Sequence, residues 1–217
     1  EGAELRITNF ENRSEEGRPI GIAFKLEYGG SFVPVRLDGG FGKAQAYATA
    51  AAAAVGLTFG MNLVKISEAL NYYQVPPRRG KLVAGVKETQ IFDDTYNASP
   101  LSMHAAIDTL REFKAKRKVA VLGDMLEIGK YAIEAHEQIG RFVAKVFDTL
   151  ITVGPRAKFI ADAANKAGLA KKNIYTFDIA DDAKSTVQDI LQKGDLVLVK
   201  ASRAMELDKI VEEIKKI

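Results

Sequence analysis

Three segments of this sequence combine acidic, basic and hydroxyl side chains in patterns that could bind a charged ligand. They are 93–100 (DDTYNASP), 123–127 (GDMLE) and 200–203 (KASR). In 93–100, two carboxylates come just before a predicted helix start. The amino terminus of a helix favours anions. A carboxylate there could also hold ribose hydroxyls or a metal-bound water. The same residues fit an ordinary helix cap and turn, in which Asp and Asn bond to their own backbone.

The segment 200–203 also precedes a predicted helix. Its two cations and hydroxyl, on Lys200, Arg203 and Ser202, suit a phosphate or a carboxylate. The alternative is a solvated loop whose charges bind nothing specific, and the pattern taken alone favours it. Arg79 raises a similar choice, because it is either a cleft residue at a domain junction or an ordinary linker charge.

His136 lies in a predicted helix and could face the same crevice near Asp124 and Glu127. A lone histidine is more often a packed or exposed residue than a catalytic one. The second histidine, His104, is predicted to lie on the surface. The residues alone give His136 no defined role.

Two short sequences resemble ligand-binding motifs but lack essential positions. The GK pair at 42–43 would end a P-loop only with glycine at position 37 and Ser or Thr at 44, and the chain has Leu37 and Ala44. The HE pair at 136–137 would need a second histidine at position 140, where Gly140 stands. Neither a P-loop nor a zinc-protease helix is therefore predicted.

Composition narrows the class of protein. The 217 residues are 47% hydrophobic, enough for a sizeable core, and carry a net charge of +3, which singles out neither nucleic acid nor membrane as a partner. The absence of cysteine excludes disulfides and thiolate sites. No apolar run reaches a membrane span, and no signal-peptide pattern is present. We expect a cytoplasmic monomer.

The first 76 residues predict strands followed by two helices. The strands fall at 5–7, 20–26 and 31–37, with a hairpin turn at Gly29-Gly30. An alanine-rich helix at 44–54 follows, and then a helix near 62–72 that Asn62 could cap. The proline pair at 76–77 cannot continue a helix, so we place a domain boundary there and expect units 1–76 and 77–217.

The second unit alternates apolar strands with helices. This alternation predicts an α/β fold, with a mostly parallel sheet covered by helices on both faces. Open parallel sheets bind ligands outside the carboxyl ends of their strands. The predicted strands are 81–86, 89–92, 119–122, 150–153, 174–177 and 196–199, and the predicted helices are 100–114, 131–147, 156–167, 181–191 and 205–217.

These segments resemble motifs of the Mur ligases, and of the MurF type in particular. The segment 93–100 is similar to the family's Asp-Asp-Ser/Thr-Tyr-Asn-Ala-Asn/Ser-Pro motif. The segment 121–129 (VLGDMLEIG) is similar to its Gly-Asp-Met-x-Glu-Leu-Gly segment, and His136 falls at the family's histidine soon after. The segment 200–205 (KASRAM) is similar to Lys-Gly-Ser-Arg-Gly-Met. The resemblance covers nearly the whole chain.

The resemblance implies part of a three-domain enzyme of peptidoglycan precursor synthesis. Residues 1–76 would be a small α+β tail of the central ATPase domain, and 77–217 a complete, Rossmann-like carboxy-terminal domain. Such enzymes activate the carboxylate of a UDP-N-acetylmuramoyl-tripeptide with ATP as an acyl phosphate, which the amine of D-alanyl-D-alanine attacks. Magnesium would be bound mainly by the part of the central domain absent here. This chain alone would be inactive.

By the same resemblance, three residues would bind ATP. Arg79 matches an arginine that reaches the nucleotide from the domain junction, Asp94 matches the aspartate on its ribose side, and Asn97 lies beside it. The crevice for substrate or phosphate would be lined by Lys200, Ser202, Arg203, Tyr96 and His136. No catalytic residue and no metal ligand is expected within the chain.

Several positions depart from the family pattern. Ala44 and Ala48 stand where the family has histidine and asparagine, and Ala201 and Ala204 replace glycines, which adds Cβ atoms where a backbone could need to approach a ligand. These changes leave a second hypothesis open, a non-catalytic α/β ligand-binding or interaction module. A third is an amide ligase of the folylpolyglutamate or cyanophycin synthetase type, against which the Tyr96-Asn97-Ala98 stretch argues.

Overall fold

The chain divides at Val75 into two units, Glu1–Val75 and Pro76–Ile217. The computed structural model describes residues 3–15 and 18–216. Each unit has its own core. The division falls beside the proline pair, whose fixed φ and missing N–H groups prevent a helix from crossing it.

The first unit packs two helices on an antiparallel sheet in the order β1-β2-β3. Gly29 and Gly30 both have positive φ, as a two-residue hairpin turn requires, so the predicted turn is confirmed. Asn62 accepts a hydrogen bond from the Lys65 amide and caps the second helix, as predicted. The elements are β1 (Arg6–Glu15), β2 (Arg18–Tyr28), β3 (Ser31–Asp38), α1 (Gly42–Thr58) and α2 (Leu63–Leu70).

Helix α1 is apolar on opposite sides. Its buried stripe consists of the small residues Gly42, Ala46, Thr49 and Ala53. Other sides of the helix expose large apolar groups: Tyr47 is 66% exposed and Val55 57%. A helix that is apolar all round is usually covered on more than one side.

The second unit contains a six-stranded sheet in the order β4-β5-β9-β6-β7-β8 among the described residues. Strand β4 pairs antiparallel with β5, and the remaining neighbours are parallel. The α/β prediction, with a mostly parallel sheet, is thereby confirmed. The strands are β4 (Lys81–Ala84), β5 (Gln90–Asp93), β6 (Lys118–Gly123), β7 (Thr149–Val153), β8 (Ile174–Phe177) and β9 (Leu196–Lys200).

Helices cover both faces of this sheet. One core cluster joins Val121, Ile151 and Val197 to side chains of α6 and α7, while the alternate residues of β6 and β9, such as Leu122 and Leu198, are equally buried on the opposite face. That face belongs to α3, α4 and α5, which pack against one another in sequence. The helices are α3 (Pro100–Glu112), α4 (Ala132–Val143), α5 (Ala157–Lys166), α6 (Ala180–Ile190) and α7 (Asp208–Ile214).

Some predicted boundaries are wrong. Strand β1 is longer than predicted because the mostly polar segment 8–15 also pairs with β2, across two register shifts. The last helix begins at Asp208 rather than at position 205, because Glu206 has a left-handed φ of 52° that interrupts the helix. Its predicted end at Ile217 lies outside the described residues. His104 is half-buried against Phe142, not on the surface.

Candidate functional site

The three polar segments meet at one edge of the second unit. They follow β5, β9 and β6, which are neighbours in the sheet and run parallel. Their carboxyl ends therefore lie side by side, where open α/β sheets bind ligands. The strand order makes 200–203 the central segment, flanked by 93–100 and 123–127.

Much of 93–100 is committed to its own turn and cap. The carboxylate of Asp93 accepts bonds from the backbone and hydroxyl of Thr95, at 3.2 and 2.7 Å. The carboxamide oxygen of Asn97 accepts from the Ala98 amide at 2.8 Å. Ser99 forms a capping box with Ser102 at the start of α3, as the predicted cap required. Burial raises the pKa of Asp93, and the bonds from Thr95 act to lower it.

A buried ion pair joins this segment to β9. Lys200, the last residue of β9, is 2% exposed, and its Nζ lies 2.6 Å from Oδ2 of Asp94. The same ammonium donates to the Asn97 carbonyl at 2.8 Å. Burial lowers the pKa of Lys200 and raises the pKa of Asp94, while their mutual attraction opposes both shifts. The pair fixes 94–97 against the central strand.

The segment after β6 is tied to the segment after β9. Oγ of Ser202 accepts a hydrogen bond from the Leu126 amide at 2.8 Å, and the Ser202 amide donates to the Asp124 carbonyl at 3.0 Å. The carboxylate of Asp124 accepts from the Ala157 amide, the first residue of α5, at 2.7 Å. A carboxylate at that helix end also suits the helix dipole.

The sequence placed Asp124 in a candidate ligand-binding segment but did not predict its bond to the start of α5. Gly154 lies directly against Asp124, because a Cβ added to Gly154 would lie 2.5 Å from the Asp124 carboxylate. Aspartate directly after a buried strand, followed one strand later by a glycine, is the signal that could have revealed this contact. The geometry gives Asp124 the task of joining β6 to α5.

His136 is fully buried on α4, where Nδ1 lies 2.6 Å from the Ala132 carbonyl and Nε2 accepts from the Met125 amide at 2.9 Å. Burial lowers the pKa of the imidazole, the Ala132 carbonyl and Asp124 act to raise it, and Arg156 acts to lower it. The ring is therefore hydrogen-bonded to the 123–127 segment and to its own helix.

The outer part of the site is exposed and cationic. The guanidinium carbon of Arg79 lies 3.7 Å from the centre of the Tyr96 ring, and that of Arg203 lies 5.5 Å from it. The neighbouring Arg78 forms a 2.9 Å ion pair with Asp208, and the backbone carbonyl of Arg78 accepts a hydrogen bond from the Tyr96 amide. Two guanidinium groups on one aromatic ring form a surface suited to phosphate or carboxylate.

The structure places the predicted site residues in two layers. Arg79, Tyr96, Asn97 and Arg203 are exposed, whereas Lys200, Ser202 and His136 are buried and bonded to protein groups. The polar atoms of these three residues are hydrogen-bonded inside the unit. Asp94 lies between the two layers, half-buried, with one oxygen on Lys200.

The structure also shows where the methyl group of Ala201 lies. Ala201 is fully buried in the core cluster, and a Cβ built on Gly123 would lie 2.7 Å from its methyl group. The added methyl faces Gly123 rather than a ligand. Ala204, in contrast, is exposed in the short 3₁₀ helix Arg203–Met205.

Residues 3–15 and 18–216 contain no group of three or more acidic or histidine side chains that could hold a metal ion. Across the same residues, the helices are too short or too polar for a membrane crossing.

The mostly parallel sheet and the helices on both of its faces define a Rossmann-like domain. Residues 78–203 match the family described as Mur ligase, glutamate ligase domain. The chain belongs to this family.

Similar proteins of known name include UDP-N-acetylmuramoyl-tripeptide–D-alanyl-D-alanine ligases. The one from Bacillus subtilis is 33% identical over 185 residues, which are 84% of this chain and 39% of that protein. The one from Treponema pallidum is 31% identical over 195 residues, 88% and 41% of the two chains. This chain thus spans about two fifths of the length of these relatives.

Solved structures give the same likeness. MurF from Acinetobacter baumannii superposes with a TM-score of 0.81 at 26% identity, over 98% of this chain and 45% of that one. MurF ligase from Thermotoga maritima in complex with ADP superposes with a TM-score of 0.79 at 27% identity, over 98% and 46%. These superpositions therefore include residues of both units of this chain.

Proposed function

We propose that this chain is the carboxy-terminal part of an ATP-dependent ligase that joins D-alanyl-D-alanine to a UDP-N-acetylmuramoyl-tripeptide. The observation that carries the proposal is the exposed pair of guanidinium groups, Arg79 and Arg203, on the ring of Tyr96 at the carboxyl edge of the sheet. Two cations at that edge suit the phosphates of a nucleotide and the carboxylate of a dipeptide. The names of the similar ligases supply the substrates.

In the proposed reaction, the tripeptide carboxylate takes the terminal phosphoryl group of ATP, giving an acyl phosphate and ADP. The amine of the dipeptide then attacks the acyl carbon, an amide forms and phosphate leaves. Phosphoryl transfer of this kind depends on positioning and on neutralising the phosphoryl oxygens. We assign the ATP side to Arg79, and the incoming carboxylate or the phosphate to Arg203.

Asp94 is assigned to the ribose side of the nucleotide, with Asn97 beside it. Oδ2 of Asp94 remains on Lys200 at 2.6 Å, and Oδ1 would accept a ribose hydroxyl. Lys200 is too buried to reach a phosphate, so we assign it to holding Asp94. Magnesium ligands are assigned to a part of the ligase outside these 217 residues.

The first unit supports the proposal of a larger enzyme. Helix α1 exposes Tyr47 and Val55 although its opposite side is already packed. A helix with apolar groups on several sides is normally buried between layers. We infer that another part of the ligase covers α1, and that the 217 residues alone do not ligate.

Calorimetric titration tests the assigned site. The 217-residue chain is titrated with D-alanyl-D-alanine and, separately, with a non-hydrolysable ATP analogue plus Mg²⁺. We expect binding of at least one ligand, weakened at least tenfold by Arg203→Gln or Arg79→Gln. Arg141→Gln is the matched control, because it removes an exposed arginine that pairs with Glu137 on α4. A folded chain that binds neither ligand would favour a non-catalytic module.

A ligation assay tests the expected inactivity. The chain is mixed with ATP, Mg²⁺, UDP-N-acetylmuramoyl-tripeptide and D-alanyl-D-alanine, and phosphate release is followed. We expect none above background. Release that Asp94→Ala abolishes would show that these residues suffice for the reaction.

A further inference from the structure

His136 makes two hydrogen bonds whose directions are fixed by its partners. The Ala132 carbonyl, 2.6 Å from Nδ1, can only accept, and the Met125 amide, 2.9 Å from Nε2, can only donate. The proton therefore sits on Nδ1, and Nε2 presents its lone pair. Since the side chain is fully buried, water cannot replace either partner.

The bond from Met125 is the middle one of three consecutive anchors. Asp124 is held by the first amide of α5 at 2.7 Å, and the Leu126 amide is held by Oγ of Ser202 at 2.8 Å. His136 holds Met125 from α4. Three successive residues are thus fixed from α5, from α4 and from the segment after β9, and the last of these anchors, Ser202, is adjacent to Arg203.

We propose that His136 is a positioning residue, which as a neutral Nδ1–H imidazole holds residues 124–126 and, through Ser202, fixes Arg203 over the ring of Tyr96. The bond from Met125 to Nε2 excludes a proton at that atom, because an imidazolium would set two N–H groups against each other. Part of the proposal, the effect on ligand binding, rests on the proposed function.

The two charges nearest the ring of His136 act on its protonation in opposite directions. The Asp124 carboxylate favours the imidazolium, whereas Arg156 opposes it. Burial is the largest influence and lowers the pKa of His136. Neutrality at physiological pH follows from burial together with the fixed polarity of the two backbone partners.

Two substitutions separate positioning from simple packing. His136→Gln places an amide oxygen near the former Nε2, where it can accept from Met125. His136→Leu fills similar space without an acceptor. We expect hydrogen exchange of the Met125 amide to accelerate by about fivefold or more in His136→Leu, the equivalent of one lost hydrogen bond, and to stay near wild type in His136→Gln.

Nitrogen-15 spectra of the wild-type imidazole provide a readout that does not depend on a variant folding. A protonated Nδ1 and an unprotonated Nε2 at neutral pH are expected. A proton on Nε2, or equal exchange in the two variants, would overturn the proposal.

Titration with the ATP analogue plus Mg²⁺ or with D-alanyl-D-alanine then measures the effect on the ligand. We expect His136→Leu to weaken whichever ligand binds, and His136→Gln to retain most of the affinity. If His136→Leu binds as tightly as wild type, the positioning of Arg203 is refuted. If the wild type binds neither ligand while the spectra show the expected tautomer, the proposed function fails and the assigned hold on Met125 stands.

Discussion

Two layers of polar side chains lie at the carboxyl edge of the second unit, and they differ in what surrounds their charges. The inner layer, Lys200, Ser202 and His136, is buried and hydrogen-bonded to protein groups. The outer layer, represented by Arg79 and Arg203 on Tyr96, is exposed. Residues of one motif can thus have different tasks. Changes in the inner layer should alter the free energy of unfolding, and changes in the outer layer should alter binding.

The largest effect is expected for Lys200→Met. The substitution leaves the Asp94 carboxylate largely buried without its 2.6 Å partner. Removing one member of a buried ion pair costs about 3 kcal/mol or more. Urea denaturation at neutral pH measures this loss, which should shrink at acid pH as Asp94 takes up a proton.

The control for this measurement is Lys158→Met. Lys158 also lies 2.8 Å from a carboxylate, that of Asp178, but both side chains are more than half exposed. Its loss should cost less than about 1 kcal/mol. Similar losses for the two variants would remove the distinction between the buried pair and an ordinary surface pair.

Gly154→Ala is expected to have the next largest effect. Gly154 has a φ of 111°, and an added Cβ would lie 2.5 Å from the Asp124 carboxylate. Gly168 provides the matched control, because its φ is 110° and an added Cβ would meet no atom within 4 Å. Both substitutions incur backbone strain, but only Gly154→Ala also displaces Asp124. Thermal or urea unfolding should show an additional loss of about 1–3 kcal/mol for Gly154→Ala; equal losses would mean that Asp124 yields freely.

The elements of the fold could be predicted because their signals are local. Strand and helix alternation, the Gly29-Gly30 turn and the caps at Asn62 and Ser99 all depend on neighbours in sequence. The α7 start could not be predicted in this way, because a non-glycine residue, Glu206, adopts the left-handed conformation that ends the preceding turn.

The inner layer could not be predicted, because it depends on strand order. Hydrophobic periodicity marks β9 as a strand but does not place it between β5 and β6. That placement brings Lys200 to Asp94, 106 residues earlier in the chain. Without the neighbour, a lysine after an apolar strand looks like a phosphate ligand. His136 likewise acquires its role only from the approach of Met125.

A third prediction concerns pH. The pKa of His136 in the folded chain lies below its ordinary value. In the unfolded chain, the imidazole therefore takes up a proton near pH 6.5, whereas in the folded chain it does so only at lower pH. The contribution to stability is complete above about pH 6.5 and is lost as the pH falls toward the folded pKa.

The measurement compares wild type with His136→Gln, which retains the carboxylates that also titrate in acid. The difference in free energy of unfolding between the two should stay constant above about pH 7 and change against the wild type below about pH 6.5. A difference independent of pH would show that His136 titrates normally in the folded chain.

The smallest effect on stability, and the sharpest test of the outer layer, is expected for Tyr96→Leu. The ring is partly exposed and supports Arg79 and Arg203, and such exposed cation–π contacts contribute about 0.5–1 kcal/mol. Unfolding should therefore change by about 1 kcal/mol or less, while affinity for the ATP analogue or the dipeptide falls. Tyr96→Phe keeps the ring face and should preserve both. A stability loss in Tyr96→Leu as large as that of Lys200→Met would place Tyr96 in the inner layer, because an exposed platform for a ligand contributes little to folding.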